Sequence, residues 1–386
     1  MAVVVMIDGL SAAVGGAVER WQWHRLAVVA KSGRISWSGH PFFAWFGQEA
    51  LLQKAQMRDL PYGYLAALAL LEELPDPERI WCCLGFTHLY QKQQDLLFLS
   101  PERTGQSVAE ASSLAEALAE DWAEEGWVWH PPTARFLADG SWPGFFLLSR
   151  APTSKPEEWS VLTTPFNLLE GESLRSRMPQ GPGAARLIQQ LTNGQMLLAR
   201  HERNRQRQQE GRMPLNSPWL WGVGSGKELR TVSEMAPGVC CTADPFLAGL
   251  ARLAGQQIYW LDEQADWGEM LSIVAQRRGS GPVLVHFAMP ALFMRHRQSE
   301  SAQKALDKID QHFVKPVLDI LQGSNSQLVI SAFYGAEQPA PNGEWELPWV
   351  MGEGSLLQKS RRFWHRGAFG QGESHPWQEL RREWQR

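Results

Sequence analysis

Residues 3–9 read VVVMIDG, and this short stretch decides the class of fold. Residues 3–7 are an unbroken run of apolar, mostly β-branched side chains, which is typical of a strand buried on both faces of a parallel sheet. The run ends at Asp8-Gly9, a turn signal. In open α/β sheets, ligands bind just beyond the carboxyl ends of the strands, so Asp8 lies where a catalytic or metal-binding carboxylate is expected. An Asp that caps a following helix would occupy the same place, and position alone does not separate the two.

Strands alternate with helices on both sides of the middle of the chain. A helix predicted over 65–73 stops at Pro75-Asp76-Pro77. Beyond the middle, the pattern predicts a helix over 184–209, a strand and helix over 239–253, strands at 257–261 and 283–286, a helix over 299–321 and a strand at 328–331. This alternation predicts an α/β fold with a mostly parallel sheet and helices on both faces.

The stretch from 76 to 180 has a different pattern, which predicts an α+β insertion. Strands are predicted at 80–86, 95–100, 127–130, 134–138 and 145–149. Ser107 and Glu110 have capping-box spacing, which predicts a helix over 107–125. The predicted domains are an α/β core of residues 1–75 and 181–355, an inserted cap of residues 76–180, and a basic, aromatic extension of residues 356–386.

Composition limits the class of protein. With 386 residues, of which 44% are hydrophobic, the chain is long enough for two domains or for one large domain with an insertion. A formal charge of −4 argues against nucleic acid as a partner. The first residues lack the basic start of a signal peptide, and the longest apolar stretch, 65–71, is far shorter than the roughly 20 residues that cross a bilayer. A cytoplasmic globular protein without a transmembrane segment is expected.

Cysteine and tryptophan add two expectations. The cysteines form two adjacent pairs, Cys82-Cys83 and Cys240-Cys241, and neighbouring thiols do not easily bond each other. Buried free thiols in a reducing compartment are therefore expected. The 19 Trp beside 5 Tyr indicate bulky packing and interfaces, but no particular chemistry.

Several local motifs allow both a functional and a structural interpretation. Residues 222–227 read GVGSGK, which is one residue too short for a phosphate loop and is followed by Glu228 instead of a hydroxyl, so an ordinary glycine-rich turn is favoured. His286 and His296 flank a strand end and could reach one site, although histidines at such places are more often structural. The arginine-rich stretch 200–212 is interleaved with Gln and Glu, which favours a solvated helix face.

The predicted C-terminal extension, residues 356–386, is rich in Lys, Arg, Trp and Phe. Such a composition can bind an anionic membrane surface or a partner protein. An extension whose tryptophans pack back on the domain is the favoured alternative.

One segment is distinctive. Asn204-x-x-Arg207-x-x-x-Gly211 is followed by NSPWLWGVG at 216–224. It resembles a stretch of the archaeal-type cofactor-independent phosphoglycerate mutases of the alkaline phosphatase superfamily, and resembles still more their proteobacterial branch of RpfE-type regulatory proteins. Residues 3–10, 242–250, 285–296 and 308–318 resemble further family segments in the same order. The resemblance implies an alkaline-phosphatase-like fold, two Mn or Zn ions held by Asp and His at strand ends, and a Ser nucleophile between them.

The resemblance also assigns residues. Asp8 and His296 match two of the about seven positions of the family's two-metal site, and His286 matches a His that is not a ligand. The other ligands would fall in 290–293, 331–334 and 342–348, which offer neither the expected Asp nor the expected His. The nucleophile element matches PYGYLAALALLE at 61–72, which has no Ser or Thr. Substrate binding is assigned to Asn204, Arg207 and Asn216.

These matches lead to a hypothesis and two rivals. Divalent ions usually need three or four protein ligands, so the chain is expected to be a catalytically degenerate, non-enzymatic binding or regulatory protein without a cofactor. The first rival is a remodelled phosphohydrolase or phosphotransferase that uses Mn, Zn or no metal, with Asp8, Arg207 and His296 as its catalytic candidates. The second is an interaction module that binds a protein partner or a membrane through its Trp-rich surface or residues 356–386.

Overall fold

A computed structural model describes residues 2–8, 27–28, 34–35, 59–99, 101–133, 142–152, 159–166, 169, 171–229, 238–261, 267–277, 283–288, 299–321, 327–333, 345–346 and 350–352. The chain forms two compact units. The first unit consists of Met1–Gly47 and Thr231–Arg386, and the second unit consists of Gln48–Arg230. The predicted strand at 134–138 and the extension 356–386 lie outside the described residues.

The described elements follow one another along the chain as strands and helices. The strands are β1 (Ala2–Asp8), β2 (Ala27–Val28), β3 (Arg34–Ile35), β4 (Ile80–Lys92), β5 (Asp95–Leu99), β6 (Trp127–His130), β7 (Phe145–Arg150), β8 (Ser217–Gly224), β9 (Val239–Thr242), β10 (Gln257–Trp260), β11 (Val283–Phe287), β12 (Gln327–Phe333), β13 (Trp345–Glu346) and β14 (Val350–Gly352). The helices are α1 (Tyr62–Leu70), α2 (Pro101–Thr104), α3 (Val108–Trp122), α4 (Leu174–Arg177), α5 (Ala184–Arg200), α6 (Glu202–Gln209), α7 (Pro245–Leu253), α8 (Trp267–Gln276), α9 (Ser299–Ile309) and α10 (Lys315–Leu321).

The first unit is built on a seven-stranded sheet in the order β10-β9-β11-β1-β12-β14-β2. The five strands from β10 to β12 are parallel, whereas β14 and β2 are antiparallel to their neighbours. The opening strand lies between β11 and β12, with Val5 opposite Val285 and Ile330. The predicted α/β fold with a mostly parallel sheet is confirmed, because the strands predicted at 3–7, 257–261, 283–286 and 328–331 lie side by side and parallel in one sheet with β9.

The core of the first unit lies between this sheet and the helices α8, α9 and α10. Val5, Val285 and Phe287 of the sheet pack in one buried cluster with Met270 of α8 and Phe313. Side chains alternate along a strand, so Leu284 and His286 point to the opposite face. Since every position of β9 and β11 is buried, both faces of the sheet are covered at these strands.

The helix predicted over 299–321 is present, with a break in its regular winding. A π-helical turn, Asp310–Val314, joins α9 to α10. Pro316 follows this turn, and a proline has no N–H to bond the carbonyl four residues earlier, which loosens the ladder at this place. Lys315 pairs with Asp310 across the turn at 2.8 Å. Among the described helices, none is both long and apolar enough to cross a membrane.

The second unit is built on an antiparallel sheet around the long central strand β4. The order is β5-β4-β7-β6, and β8 also pairs with β4, where Leu220 lies opposite Leu84. The part of β4 from Ile80 to Thr87 is buried at every position. The predicted strands at 80–86, 95–100, 127–130 and 145–149 are confirmed as β4, β5, β6 and β7.

The second unit extends beyond the predicted insertion of residues 76–180 at both ends. Residues 181–229 were assigned to the α/β core, but β8 hydrogen-bonds to β4, and α5 packs on β8 in this unit. At the other end, α1 packs on β4 and belongs to it as well. The border differs from the prediction because local patterns do not reveal which distant strands pair.

Two helices of this unit test the sequence signals directly. Ser107 caps α3, and its hydroxyl and backbone exchange hydrogen bonds with Glu110, so the predicted capping box is confirmed. The single helix predicted over 184–209 is wrong, because His201 is extended (ψ 137°) and separates α5 from α6. The His201 Nδ1 then accepts a hydrogen bond from the Arg203 N–H at 3.1 Å and begins the second helix.

The glycine-rich stretch after Trp221 has a packing role. Gly222 has φ +65°, and a Cβ there would lie 2.6 Å from the Tyr62 Cβ. A Cβ on Gly224 would lie 2.8 Å from the Pro61 Cβ. These glycines let the end of β8 approach the start of α1 closely, which explains the motif without a bound phosphate.

Candidate functional site

The carboxyl edge of the parallel sheet is where the sequence analysis expects a ligand site. β1 ends at Asp8, which lies opposite Phe333 of β12, and Ile7 lies opposite Phe287 of β11. Asp8 is therefore at a strand tip, as predicted, and a phenylalanine ends each neighbouring strand. Of these two phenylalanines, Phe287 packs in the buried core of the first unit.

His286, one residue before the end of β11, is fully buried. Its Nδ1 lies 3.0 Å from the Thr242 hydroxyl, which accepts a hydrogen bond from the Asp244 N–H at 2.9 Å. The Asp244 carboxylate accepts hydrogen bonds from the N–H groups of Phe246 and Leu247, both at 2.8 Å, as the N-cap of α7. The polar groups at these two strand ends therefore support local structure.

The positions of the two-metal site that the resemblance implies lie largely outside the residues and side chains that the structure describes. In the described part of the chain, no three His, Cys, Asp or Glu residues are grouped so that they could hold a metal ion. His296 lies outside that part, and of Asp8 only the backbone is described. Phe333, which lies opposite Asp8 at the end of β12, has no lone pair for a divalent cation.

Arg207, assigned to substrate binding, is an internal brace of the second unit. Its side chain is 1% exposed, and all three guanidinium nitrogens donate within the protein. Nε donates to the Met213 carbonyl at 2.8 Å, Nη1 to the Glu110 carboxylate at 2.9 Å, and Nη2 to the Thr104 carbonyl at 2.6 Å. The side chain thus ties α6 to α2 and α3.

Asn204 and Asn216, the other two assigned residues, also bond the protein itself. The Asn204 amide donates to the carbonyls of Leu198 and Leu215, and its oxygen accepts from the Leu215 N–H at 2.7 Å. Asn216 exchanges two hydrogen bonds with the Leu89 backbone, at 2.7 and 3.0 Å, and so extends the ladder between β8 and β4. The structure brings Asn204 and Arg207 together on α6, as buried supports of the chain around them.

Glu110 is the acidic centre of this region. Its carboxylate accepts from the Arg207 Nη1 and from both terminal nitrogens of Arg212, at 2.6 and 3.1 Å. Burial acts to raise the pKa of Glu110, but the hydrogen bonds from Arg212 and Ser107 and the two arginine charges outweigh it and lower the pKa to about 2. Glu110 is therefore ionised at every physiological pH, as a structural ion pair requires.

Sequence reasoning missed Asp59, a buried carboxyl in the second unit. Its oxygens accept from the Thr163 N–H at 2.6 Å, from the Thr163 hydroxyl, and from the Val223 N–H at 3.1 Å. Burial raises the pKa of Asp59 to about 7, although the hydrogen bonds from Thr163, Val223 and Gly222 act to lower it. No motif marks this aspartate, because its partners, Thr163 and Val223, come from two distant parts of the chain.

A second missed group is the pair of His130 and Ser149. The His130 Nε2 lies 2.8 Å from the Ser149 hydroxyl, which accepts from the Arg79 Nε at 3.0 Å. Burial and the nearby charge of Arg79 lower the pKa of His130 to about 4, so the ring is neutral at pH 7. Ser149 is fully buried, which keeps this serine–histidine pair from acting on a substrate as it stands.

Many tryptophans of the second unit form its core. Trp219 stacks edge-on against Phe98 and donates to the Thr164 carbonyl at 2.8 Å, while Trp221 stacks on Phe166. Among the described residues, the tryptophans that are at most 5% exposed are Trp81, Trp122, Trp127, Trp159, Trp219 and Trp221. Because these tryptophans are buried, an interaction surface rich in tryptophan would have to be formed by other tryptophans of the chain.

Comparisons with known proteins give partial likenesses. No protein-family model matches the chain. It is 25% identical over 166 residues to a probable 2,3-bisphosphoglycerate-independent phosphoglycerate mutase of Geobacter sulfurreducens, covering 41% of this chain and 42% of that protein. It is 26% identical over 232 residues to the 2,3-bisphosphoglycerate-independent phosphoglycerate mutase 2 of Methanothermobacter thermautotrophicus, covering 58% and 54%. The chain thus spans about half the length of the curated relatives it matches.

A likeness in fold extends further along the chain. A solved protein of Pyrococcus horikoshii superposes with a TM-score of 0.57 at 13% identity, over 92% of this chain and 87% of that one. At this identity the likeness concerns the fold alone. It supports the α/β architecture over most of the sequence.

Proposed function

Because this chain is a relative of the archaeal-type cofactor-independent phosphoglycerate mutases over about half its length, we propose that it is a catalytically degenerate member of that group. It acts as a non-enzymatic binding or regulatory protein in the cytoplasm. Assignment to the RpfE-type regulatory branch is part of this proposal. Three observations support it, and the first carries the most weight.

The segment that corresponds to the nucleophile element is packed inside the second unit. By the sequence match it falls on α1, which has no Ser or Thr, and α1 is buried from Gly63 to Leu68. A Cβ on Gly63 would lie 2.5 Å from the backbone of Cys82 in β4. A phosphoseryl intermediate needs an exposed hydroxyl, and this helix presents neither the hydroxyl nor the exposure.

The second observation concerns the strand ends. The Asp-His pair of the family would fall at the end of β12, where Phe333 lies beside Asp8. A single carboxylate holds a divalent ion weakly, because stable sites use three or four ligands.

The third observation concerns the residues assigned to substrate. Asn204 and Arg207 are buried and bond the protein, and Asn216 bonds the backbone of β4. The motif that carries the family resemblance therefore has a structural use in this chain. The structural role of these residues is enough to account for the presence of the motif.

Metal analysis combined with activity assays tests the proposal. We expect the purified protein, incubated with Mn and Zn and then desalted, to retain less than one equivalent of either ion. We expect mutase and phosphatase turnover at background, with the Methanothermobacter thermautotrophicus relative as positive control under the same conditions. Two equivalents of bound metal together with turnover would contradict the proposal.

A remodelled phosphohydrolase or phosphotransferase is the alternative, and the place of Asp8 at the tip of β1 favours it. A screen of small phosphate esters comparing the wild type with Asp8→Ala separates the two. Asp121→Ala, at an exposed position of α3, is the matched control. Turnover that disappears in Asp8→Ala and persists in Asp121→Ala supports the enzyme, whereas equal background rates exclude it.

The binding partner in this proposal is a protein that docks on the Trp-rich surface or on residues 356–386. Their basic and aromatic composition suits an acidic partner surface. A pull-down that compares the full chain with a chain truncated at Gly354 measures this role, and flotation with anionic vesicles measures membrane binding. Unchanged capture after truncation would remove the segment from the proposal.

A further inference from the structure

A partly open cavity of about 320 Å³ lies beside the end of α1 in the second unit. It is lined by Leu70 and Leu71, by the segment that follows β6, by Trp142 and by the start of β7. His130 and Thr133 are polar, and the other lining residues are apolar or aromatic. Sites for small molecules are concave and mostly apolar, with a few placed polar groups, and this cavity lies at the lower end of their size range.

The aromatic wall of the cavity is held in place by contacts within the protein. The Trp142 Nε1 donates to the Phe145 carbonyl at 2.9 Å, and the Trp142 ring centroid lies 5.1 Å from that of Phe146. The prolines of the lining have φ fixed by their rings. A wall that is already ordered loses little conformational entropy when a ligand enters, so the cavity is preorganised for binding.

His130 is the oriented polar group of the cavity. Its Nε2 lies 2.8 Å from the Ser149 hydroxyl, and its ring centroid lies 4.8 Å from that of Trp81. The Ser149 hydroxyl accepts from the Arg79 Nε at 3.0 Å, and an arginine nitrogen is only a donor. The buried hydroxyl hydrogen needs an acceptor, and among the described residues the His130 Nε2 is the one group placed to accept it. Ser149 therefore donates to Nε2, which leaves the hydrogen of the neutral ring on Nδ1.

The Nδ1–H of His130 is the donor that a ligand in the cavity would meet. Nδ1 carries a hydrogen in the neutral ring and in the charged ring, so it is a donor in both. No group of the described residues bonds Nδ1, and Nδ1 is not one of the enclosed side-chain atoms that lack a partner. This nitrogen therefore faces open space, and His130 lines the cavity.

We propose that this cavity binds a small, uncharged aromatic molecule whose carbonyl oxygen accepts a hydrogen bond from the His130 Nδ1–H. The rings of Trp142, Phe145 and Phe146 offer faces and edges on which another aromatic ring packs well. A charged ligand would exchange its water for a single donor among apolar side chains, which is costly. Such binding does not depend on mutase chemistry at the strand tip of Asp8, which belongs to the first unit.

Ligand-observed NMR titrations of the full chain with acetophenone and ethylbenzene test the hydrogen bond. The two probes share ring and shape, but only acetophenone has an oxygen that accepts from His130. The ratio of their dissociation constants is compared between variants, because the different affinities of the probes for water then cancel. His130→Phe should shift this ratio against acetophenone by on the order of fivefold, which is the usual net effect of one hydrogen bond. Thr133→Val, which removes the other polar group of the lining, should leave the ratio unchanged.

A second pair of variants tests the location. Leu71→Trp fills the cavity and should abolish saturable binding of both probes, whereas Leu74→Trp, at a side chain that is 72% exposed and outside the lining, should leave it unchanged. If His130→Phe or Leu71→Trp does not fold, the nitrogen-15 resonance of Nδ1 in the wild type decides, since it should shift with acetophenone and stay in place with ethylbenzene.

Four results would overturn the proposal. They are the absence of saturable binding to the wild type, an equal ratio in the wild type and His130→Phe, binding that survives Leu71→Trp, and tighter binding of benzoate than of acetophenone. An Nδ1 resonance that responds equally to both probes has the same meaning as an equal ratio.

Discussion

Glu110 and Arg207, separated by 97 residues in the sequence, are joined by a hydrogen-bonded ion pair of 2.9 Å. Arg207 is fully enclosed, whereas Arg212, the second partner of Glu110, is partly exposed. Gly211 stands between the two arginines with φ +71°, and the Arg212 N–H donates back to the Arg207 carbonyl at 2.7 Å. The glycine thus ends α6 so that both arginines reach one carboxylate, which explains the spacing of the family motif in structural terms.

Removal of Arg207 should destabilise the second unit strongly. Arg207→Ala removes one of the two arginines that bond Glu110, together with the guanidinium that donates to the Met213 and Thr104 carbonyls, and breaking a buried pair costs about 3–5 kcal/mol. Urea unfolding monitored by tryptophan fluorescence measures the loss. Arg203→Ala, on the exposed face of the same helix, is the matched control and should change the free energy of unfolding by less than about 0.5 kcal/mol. Equal effects of the two variants would show that Arg207 is not a brace.

Acid should weaken this region through Glu110. The pKa of Glu110 is lowered to about 2 in the folded protein from an ordinary value of 4.5. Its contribution to the free energy of unfolding is therefore complete above pH 4.5 and is lost as the pH falls towards 2. We expect the difference in unfolding free energy between the wild type and Glu110→Gln to shrink by about 2–3 kcal/mol over this range. Urea titrations at several pH values from 2.5 to 6 provide the measurement, and a pH-independent difference would contradict it.

The strands were predictable from the sequence because burial on both faces leaves a continuous apolar run. Residues 3–7 carry that signal, and they form the central strand β1 between β11 and β12. The pairing of β8 with β4 was not predictable, since Trp221 and Cys83 face each other across the sheet although no local pattern connects them. This single pairing moved the border of the second unit by about fifty residues.

In the candidate site, too, some features were predictable from the sequence and others were not. The place of Asp8 at a strand tip followed from the turn signal after an apolar run. The role of Arg207 did not, because an arginine in a polar helix has the same sequence pattern whether it meets solvent, phosphate or a distant glutamate. Asp59 carries no signal at all, since its environment is made by residues more than a hundred positions away.

Alanine at Gly222 should be much more harmful than alanine at Gly211. Both glycines have positive φ, +65° and +71°, so each substitution carries a backbone cost of about 1 kcal/mol. At Gly222 the new methyl group would also lie 2.6 Å from the Tyr62 Cβ, whereas at Gly211 nothing lies within 4 Å. Overpacking adds about 1–3 kcal/mol, so the total at Gly222 should be about 2–4 kcal/mol. Paired thermal and urea unfolding of the two variants measures the difference, and similar losses would argue against the close approach of β8 to α1.

The cysteine pairs should react with thiol reagents only after unfolding. Cys82 and Cys83 lie in β4, Cys240 and Cys241 lie in β9, and all of them are buried and free of disulfides. Burial raises the pKa of each thiol, so the reactive thiolate is scarce even at alkaline pH. At pH 8 we expect Ellman's reagent to label the native protein slowly and four thiols per chain to react at once in concentrated urea. Peptide mapping of the labelled protein then assigns each reaction to β4 or β9, which belong to different units. Rapid labelling of either pair in the native protein would contradict its buried place in the sheet.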